Sequence, residues 1–324
     1  MKAAVMFQKG EMPQYTANFP EPATHNEDEI VISVKASAIK HLDKSRASGK
    51  HYSAKDDMHQ AKVIGGDGVG LLADGTRVFA LGISGMMAEK AIIEKSRMVK
   101  VPDGIDNVTA AALPNAVAGS AMALRFRAAM KPGETVIING ATGFTGKIAV
   151  QVAKHHGAKK IIVTGRNEDT LKTLLALGAD EIVPIKQDDE RFMAQIQQIH
   201  SITPVDIIID YLWGHTAELI LEAIKGKGAF TQRTRFVSVG AVTGDKIQLS
   251  SEILRSVDLQ LSGSGLGSWT KEEMQKLFTE IIPEMFQLAA DKKLTVDTTS
   301  IALTDIEKLW DAEVPDGKRL VVVI

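Results

Sequence analysis

The sequence predicts an α/β fold in which a doubly wound parallel sheet is inserted into a β-rich domain. Strand–helix alternation begins near Pro132 and stops near Gly267, and short β-type runs lie on both sides of that block. At 324 residues the chain is longer than one average domain. The expected division is 1–113 plus 268–324 for the β-rich part and 114–267 for the inserted sheet domain.

Before the block, residues 30–38 alternate in the manner of a strand, and 76–80 and 91–93 are shorter candidates. Gly65-Gly66-Asp67-Gly68 and Asp74-Gly75 read as punctuation between them. Inside the block, 134–139, 160–164, 181–185, 205–211 and 236–240 are apolar strands. A helix with Ile148, Ala149, Val152 and Ala153 on one face ends near Gly157. Asn167 caps a second helix that closes at Gly178, and 189–200 form a third. Near-continuous apolar strands alternating with helices indicate a sheet covered on both faces. After the block, Thr270 and Glu273 form a capping-box pair opening a long helix, which Pro283 should kink or split. Residues 319–324 return to β.

Composition excludes several classes. A net charge of −2 gives no basic excess for nucleic acid or an anionic membrane. The absence of cysteine excludes disulfides, thiol catalysis and cysteine-ligated metal sites. No stretch approaches the length of a membrane helix. The apolar run after Met1 is too short for a signal-peptide core, so a soluble, cytoplasmic protein is expected.

The informative stretch is Gly140-Ala141-Thr142-Gly143-Phe144-Thr145-Gly146, directly after one apolar strand and directly before a helix. Those flanks are what a Rossmann dinucleotide fingerprint requires. Gly143 lets backbone approach the pyrophosphate, Gly146 allows close helix–strand packing, and the helix N-terminus attracts phosphate. At the end of the second strand an NAD enzyme usually carries an acid. Here Gly165-Arg166-Asn167 stands there, with Arg166 20 residues past Gly146. A guanidinium clamps a 2′-phosphate, and Gly165 leaves room for it, so the pattern favours NADPH.

Further segments resemble the quinone oxidoreductase branch of the medium-chain dehydrogenase/reductases. They are Ala111-Ala112-Leu113-Pro114, Pro132-Gly133-Glu134, Leu177-Gly178-Ala179-Asp180 and Gly317-Lys318-Arg319-Leu320-Val321. The resemblance implies a GroES-like β-rich catalytic domain around the Rossmann domain. Where zinc members carry a G-H-E motif, this chain has Gly65-Gly66-Asp67, which implies zinc-independent chemistry. The activity implied is hydride transfer to a quinone or an activated C=C of an enone or enal. The family's N-x-x-D segment aligns with Lys40-His41-Leu42-Asp43, and its S-G-x-Y segment resembles Ser48-Gly49-Lys50-His51-Tyr52. On that basis Tyr52 is a candidate proton donor, and Lys40, replacing Asn, a candidate anchor for a developing oxyanion beside Asp43. Gly240-Ala241 and Gly265-Leu266 match loops along the nicotinamide, and Asn115 is placed beside that ring. Relatives commonly dimerise through the Rossmann edge strand, here near 258–262, so a homodimer is expected. Two other readings stay open: an NADPH-binding sensor or structural protein without turnover, and a zinc-free carbonyl reductase.

Overall fold

The computed structural model describes residues 1–49, 60–228 and 231–324. The chain divides into two compact units, Met1–Asn115 with Phe278–Ile324, and Ala116–Leu277.

The second unit holds a six-stranded parallel sheet. Its spatial order is Glu181–Pro184, Lys160–Gly165, Thr135–Asn139, Ile207–Asp210, Thr234–Ser238, Leu259–Gly263. This order reverses beside the central strand, which is the doubly wound arrangement with its switch point at the fingerprint strand. The period of two along each strand explains the apolar runs. Ile137, Ile162, Val183, Ile208 and Phe236 pack on one face with the helices Asp189–Ile202 and Gly214–Ala223. Their neighbours Val136, Ile138, Ile161, Val163, Ile207 and Ile209 are equally buried and face the other way. There the helices Phe144–His155 and Glu168–Ala176 cover those of the strands Thr135–Asn139 and Lys160–Gly165. Each such side chain contributes about 1.5–3 kcal/mol of burial, so both faces are held by the strands' own composition.

The first unit is built on a second six-stranded sheet, in the order Thr298–Ala302, Arg319–Val323, Glu29–Ala38, Asp67–Leu71, Arg77–Gly82, Lys90–Lys100. Glu29–Ala38 also pairs with Lys90–Lys100, which closes the last four strands on one another. Register shifts at Val34/Ala36 and Ala80/Gly82 supply the bends that closure needs. A small sheet of Ala3–Met6, Gln14–Thr16 and Lys62–Val63 completes this unit.

One expectation needs correction. The glycine cluster at 65–68 does not simply separate strands, because Asp67–Leu71 is itself a strand. A Cβ on Gly68 would lie 2.6 Å from the Ala36 carbonyl oxygen, so glycine here permits close backbone approach at a bulge. Pro283 interrupts the α-helix, as expected. Lys271–Lys276 runs through a π-helical turn, Leu277–Ile281, into Ile282–Ala290. The widened turn lies just before the proline, whose missing N–H and bulky ring disfavour ordinary α hydrogen bonding there. The capping box is present as expected, with Thr270 Oγ accepting from Glu273 N at 3.1 Å. Among the described residues no helix is long and apolar enough to cross a membrane.

Candidate functional site

The fingerprint residues form the turn between Thr135–Asn139 and the helix Phe144–His155. Gly140 has φ +85°, a conformation open to glycine at no steric cost, and a Cβ there would meet the Leu212 side chain at 2.8 Å. Ala141 N donates to Thr164 O at 2.8 Å, tying the turn to the neighbouring strand. Gly143 is the N-cap and provides no side-chain cap. The opening N–H groups of a helix have no acceptor within it, and with the helix dipole they favour an anion. A Cβ on Gly146 would lie 2.5 Å from Ala141 Cα, so only glycine lets the helix sit this close to the turn.

At the end of the second strand, Arg166 is exposed and has no ion-pair partner among the described residues. Asn167 caps the helix Glu168–Ala176, its Oδ1 accepting from Thr170 N at 3.0 Å. That oxygen is committed to the helix, which leaves the amide nitrogen as its side-chain donor. A Cβ on Gly165 would meet Thr142 Cγ2 at 2.4 Å. Gly165 therefore leaves room for Thr142, where the sequence alone suggests room for a phosphate.

The remaining loops lie at the same, carboxyl-terminal edge of the sheet. Ser264 N donates to Ser238 O at 2.8 Å, which joins the segments carrying Gly240-Ala241 and Gly265-Leu266. Gly265 N donates to Ser268 Oγ at 2.9 Å, and Leu266 is exposed. The structure thus brings together Gly140 to Gly146, Gly165 to Asn167, Gly240, Ala241, Gly265 and Leu266 on one unit. Asn115 is half-buried on the helix Asn107–Met122 and is assigned to the other unit.

Lys40 and Asp43 also belong to the first unit, where they lie in a buried cluster of charges. Lys40 is 2% exposed. Its ammonium donates to Asp67 Oδ1 at 2.7 Å and Ala38 O at 2.9 Å, and pairs with Asp43 Oδ2 at 2.9 Å. An ammonium has three donors, and all three are committed. Asp43 Oδ2 also accepts from Lys40 N at 3.0 Å, and its Oδ1 from Gly66 N at 3.1 Å. The pair caps the helix His41–Ala47 and pins the Gly66 loop. Burial pulls the Lys40 ammonium down, but Asp43 and Asp67 outweigh it and hold it above its ordinary value. Arg319, buried on the last strand, completes the cluster. Burial pushes its guanidinium down to about 10 while both carboxylates pull it up, and it donates to Ile39 O at 3.2 Å. Two cations and two anions therefore balance in the interior, and the Lys40 ammonium is engaged within this cluster. Tyr52 lies outside the described residues.

Sequence reasoning missed a buried polar network around Asp210, Asn139 and Thr164, each fully buried at the ends of adjacent strands. Polar residues closing three apolar strands were its available signal.

Residues 145–282 match a family model described as zinc-binding dehydrogenase. Among the described residues, no three His, Asp or Glu side chains gather so as to hold a metal ion. The chain is 25% identical to "Probable NADPH-dependent quinone reductase tdiC" of Emericella nidulans, covering 96% of each protein. It is 27% identical to the quinone oxidoreductase of Rattus norvegicus over 79% of this chain and 76% of that one. Among solved structures, the quinone oxidoreductase of Thermus thermophilus, described also in complex with NADPH, superposes with a TM-score of 0.78 at 25% identity over both full chains.

Proposed function

We propose that this chain is a quinone oxidoreductase-like medium-chain dehydrogenase/reductase that carries out zinc-independent reduction of a quinone, or of an enone or enal C=C, at the expense of NADPH. The observation that carries this reading is the pairing of the glycine turn with the exposed Arg166. The turn's backbone N–H groups and helix N-terminus suit the pyrophosphate, and Arg166 suits the 2′-phosphate. Gly240 and Gly265 keep two loops thin where a flat ring passes.

Bound NADPH supplies the hydride; the acceptor gains it together with one proton. The proposed donor of that proton is the Tyr52 phenol. The Lys40–Asp43–Asp67–Arg319 cluster supports chemistry without zinc, because an ammonium already neutralises the carboxylates there and would repel a second cation. The unpaired outer side of Leu259–Gly263 is the edge on which the homodimer would form.

The test is NADPH consumption against a panel of quinones and enones, with product analysis, in the presence and absence of a strong chelator. The expected result is oxidation of NADPH by one of these classes, unchanged by the chelator. Loss of activity on chelation contradicts the zinc-free reading. An alcohol product favours carbonyl reduction, and no turnover with any acceptor favours a sensor role.

A further inference from the structure

Several loop ends at the carboxyl edge of the parallel sheet converge on one buried carboxylate. Asp210 Oδ1 accepts from Asn139 Nδ2 at 2.7 Å and from Leu212 N at 3.0 Å. Trp213 N reaches both oxygens, at 3.2 and 3.1 Å. Asn139 carries the connection onward. Its Oδ1 accepts from Thr164 Oγ1 at 2.5 Å, and Thr164 Oγ1 accepts from Gly140 N at 3.2 Å. The first glycine of the fingerprint is thus tied to Asp210 through two side chains. The backbone carbonyl of Asp210 accepts from Val239 N at 2.8 Å and from Gly240 N at 3.2 Å, which fixes the next loop.

This arrangement holds the backbone under strain. Trp213 has φ +58° and ψ −156°, a region in which a residue with a Cβ is rare, and it is the N-cap of Gly214–Ala223. The hydrogen bond from its amide to Asp210 offsets part of that cost. The same turn presses Leu212 against Gly140, so a change in one loop reaches the other. Burial pushes the Asp210 carboxyl up, and the donors from Leu212, Trp213 and Asn139 pull it back. With N–H groups converging on it, the side chain must be an acceptor on both oxygens, which a carboxylate is and an amide is not.

We propose that Asp210 is the positioning residue of the dinucleotide site, holding the fingerprint turn through Asn139 and Thr164, and the 212–213 and 239–240 turns directly. The proposal rests on the reading that this edge receives the cofactor. Asp210 itself touches no part of the dinucleotide; its effect is transmitted through the backbone that does.

The experiment is titration of the purified full chain with NADPH and with NADH, for wild type, Asp210→Asn and Thr164→Val, each with a thermal melt. Asp210→Asn weakens both cofactors by the same factor, on the order of tenfold, because it loses charge-assisted bonds behind a turn both cofactors use. Thr164→Val weakens both in the same way, to a smaller extent. A variant that melts lower yet binds both cofactors as wild type does overturns the proposal. Where Asp210→Asn does not fold, Thr164→Val decides in the same terms. Arg166→Ala affects NADPH alone, so an error in the 2′-phosphate assignment shows separately.

Discussion

Replacing Lys40 by methionine lowers the melting temperature by roughly 10 °C or more, corresponding to about 3–5 kcal/mol for removing one partner of a buried ion cluster. Lys40 is 2% exposed and pairs with Asp43 and Asp67, so its loss leaves two buried carboxylates without the ammonium between them. Removing Asp67 as well, in Lys40→Met/Asp67→Leu, recovers much of the loss, because the replacement is then apolar on both sides. The pH dependence follows from the same charges. In Lys40→Met the Asp67 carboxyl, already pushed up by burial, loses the ammonium that pulls it back, so its folded pKa stands further above the unfolded one. Stability is then gained below the ordinary carboxylate range and lost as pH rises through the folded value, so the deficit against wild type is largest at neutral pH. Lys44→Met, whose contact with Asp311 is long and partly exposed, changes stability by less than about 0.5 kcal/mol. Thermal melts across pH check all of this. A Lys40→Met protein as stable as wild type but slow in turnover would favour the oxyanion role for Lys40.

Gly146→Ala removes cofactor binding and lowers stability together. The new Cβ would stand 2.5 Å from Ala141 Cα and 2.8 Å from its carbonyl atoms, all of them backbone that cannot rotate away. The helix Phe144–His155 must retreat from the turn, at a cost of about 1–3 kcal/mol for overpacking. Its N-terminal amides retreat with it, and a shift near 1 Å is worth about a hundredfold in a positioned site. Gly143→Ala is the contrast. Its nearest neighbour is Gly140 O at 3.8 Å, so the variant folds with near wild-type stability. Its methyl group instead stands where the pyrophosphate approaches, and cofactor affinity falls alone. Melts and cofactor titrations of the two variants separate packing from ligand approach.

These cases also show what the sequence could disclose. The Rossmann half was legible because its demands are local. Gly140, Gly143 and Gly146 answer to a turn a few residues long, and the apolar runs at 134–139 and 205–211 report burial on both faces. Asn167 and Thr270 were legible as caps for the same reason. Lys40 was not, because its meaning depends on Asp67 and Arg319, which only the folded sheet brings to it. The strand Asp67–Leu71 was hidden by glycines that serve backbone approach, although glycine more often marks a turn. Asp210 could be seen closing an apolar strand, but its partner Asn139 lies 71 residues away and nothing in the spacing joins them.

The measurement closest to the central claim is a binding titration with NADPH and NADH, wild type beside Arg166→Ala. NADPH binds far more tightly to wild type. The variant loses about one to two decades of NADPH affinity, the worth of a charge-assisted phosphate contact at roughly 1.5–3 kcal/mol, while NADH affinity is unchanged. Equal affinity of wild type for the two cofactors, or a variant that keeps the NADPH preference, would contradict it.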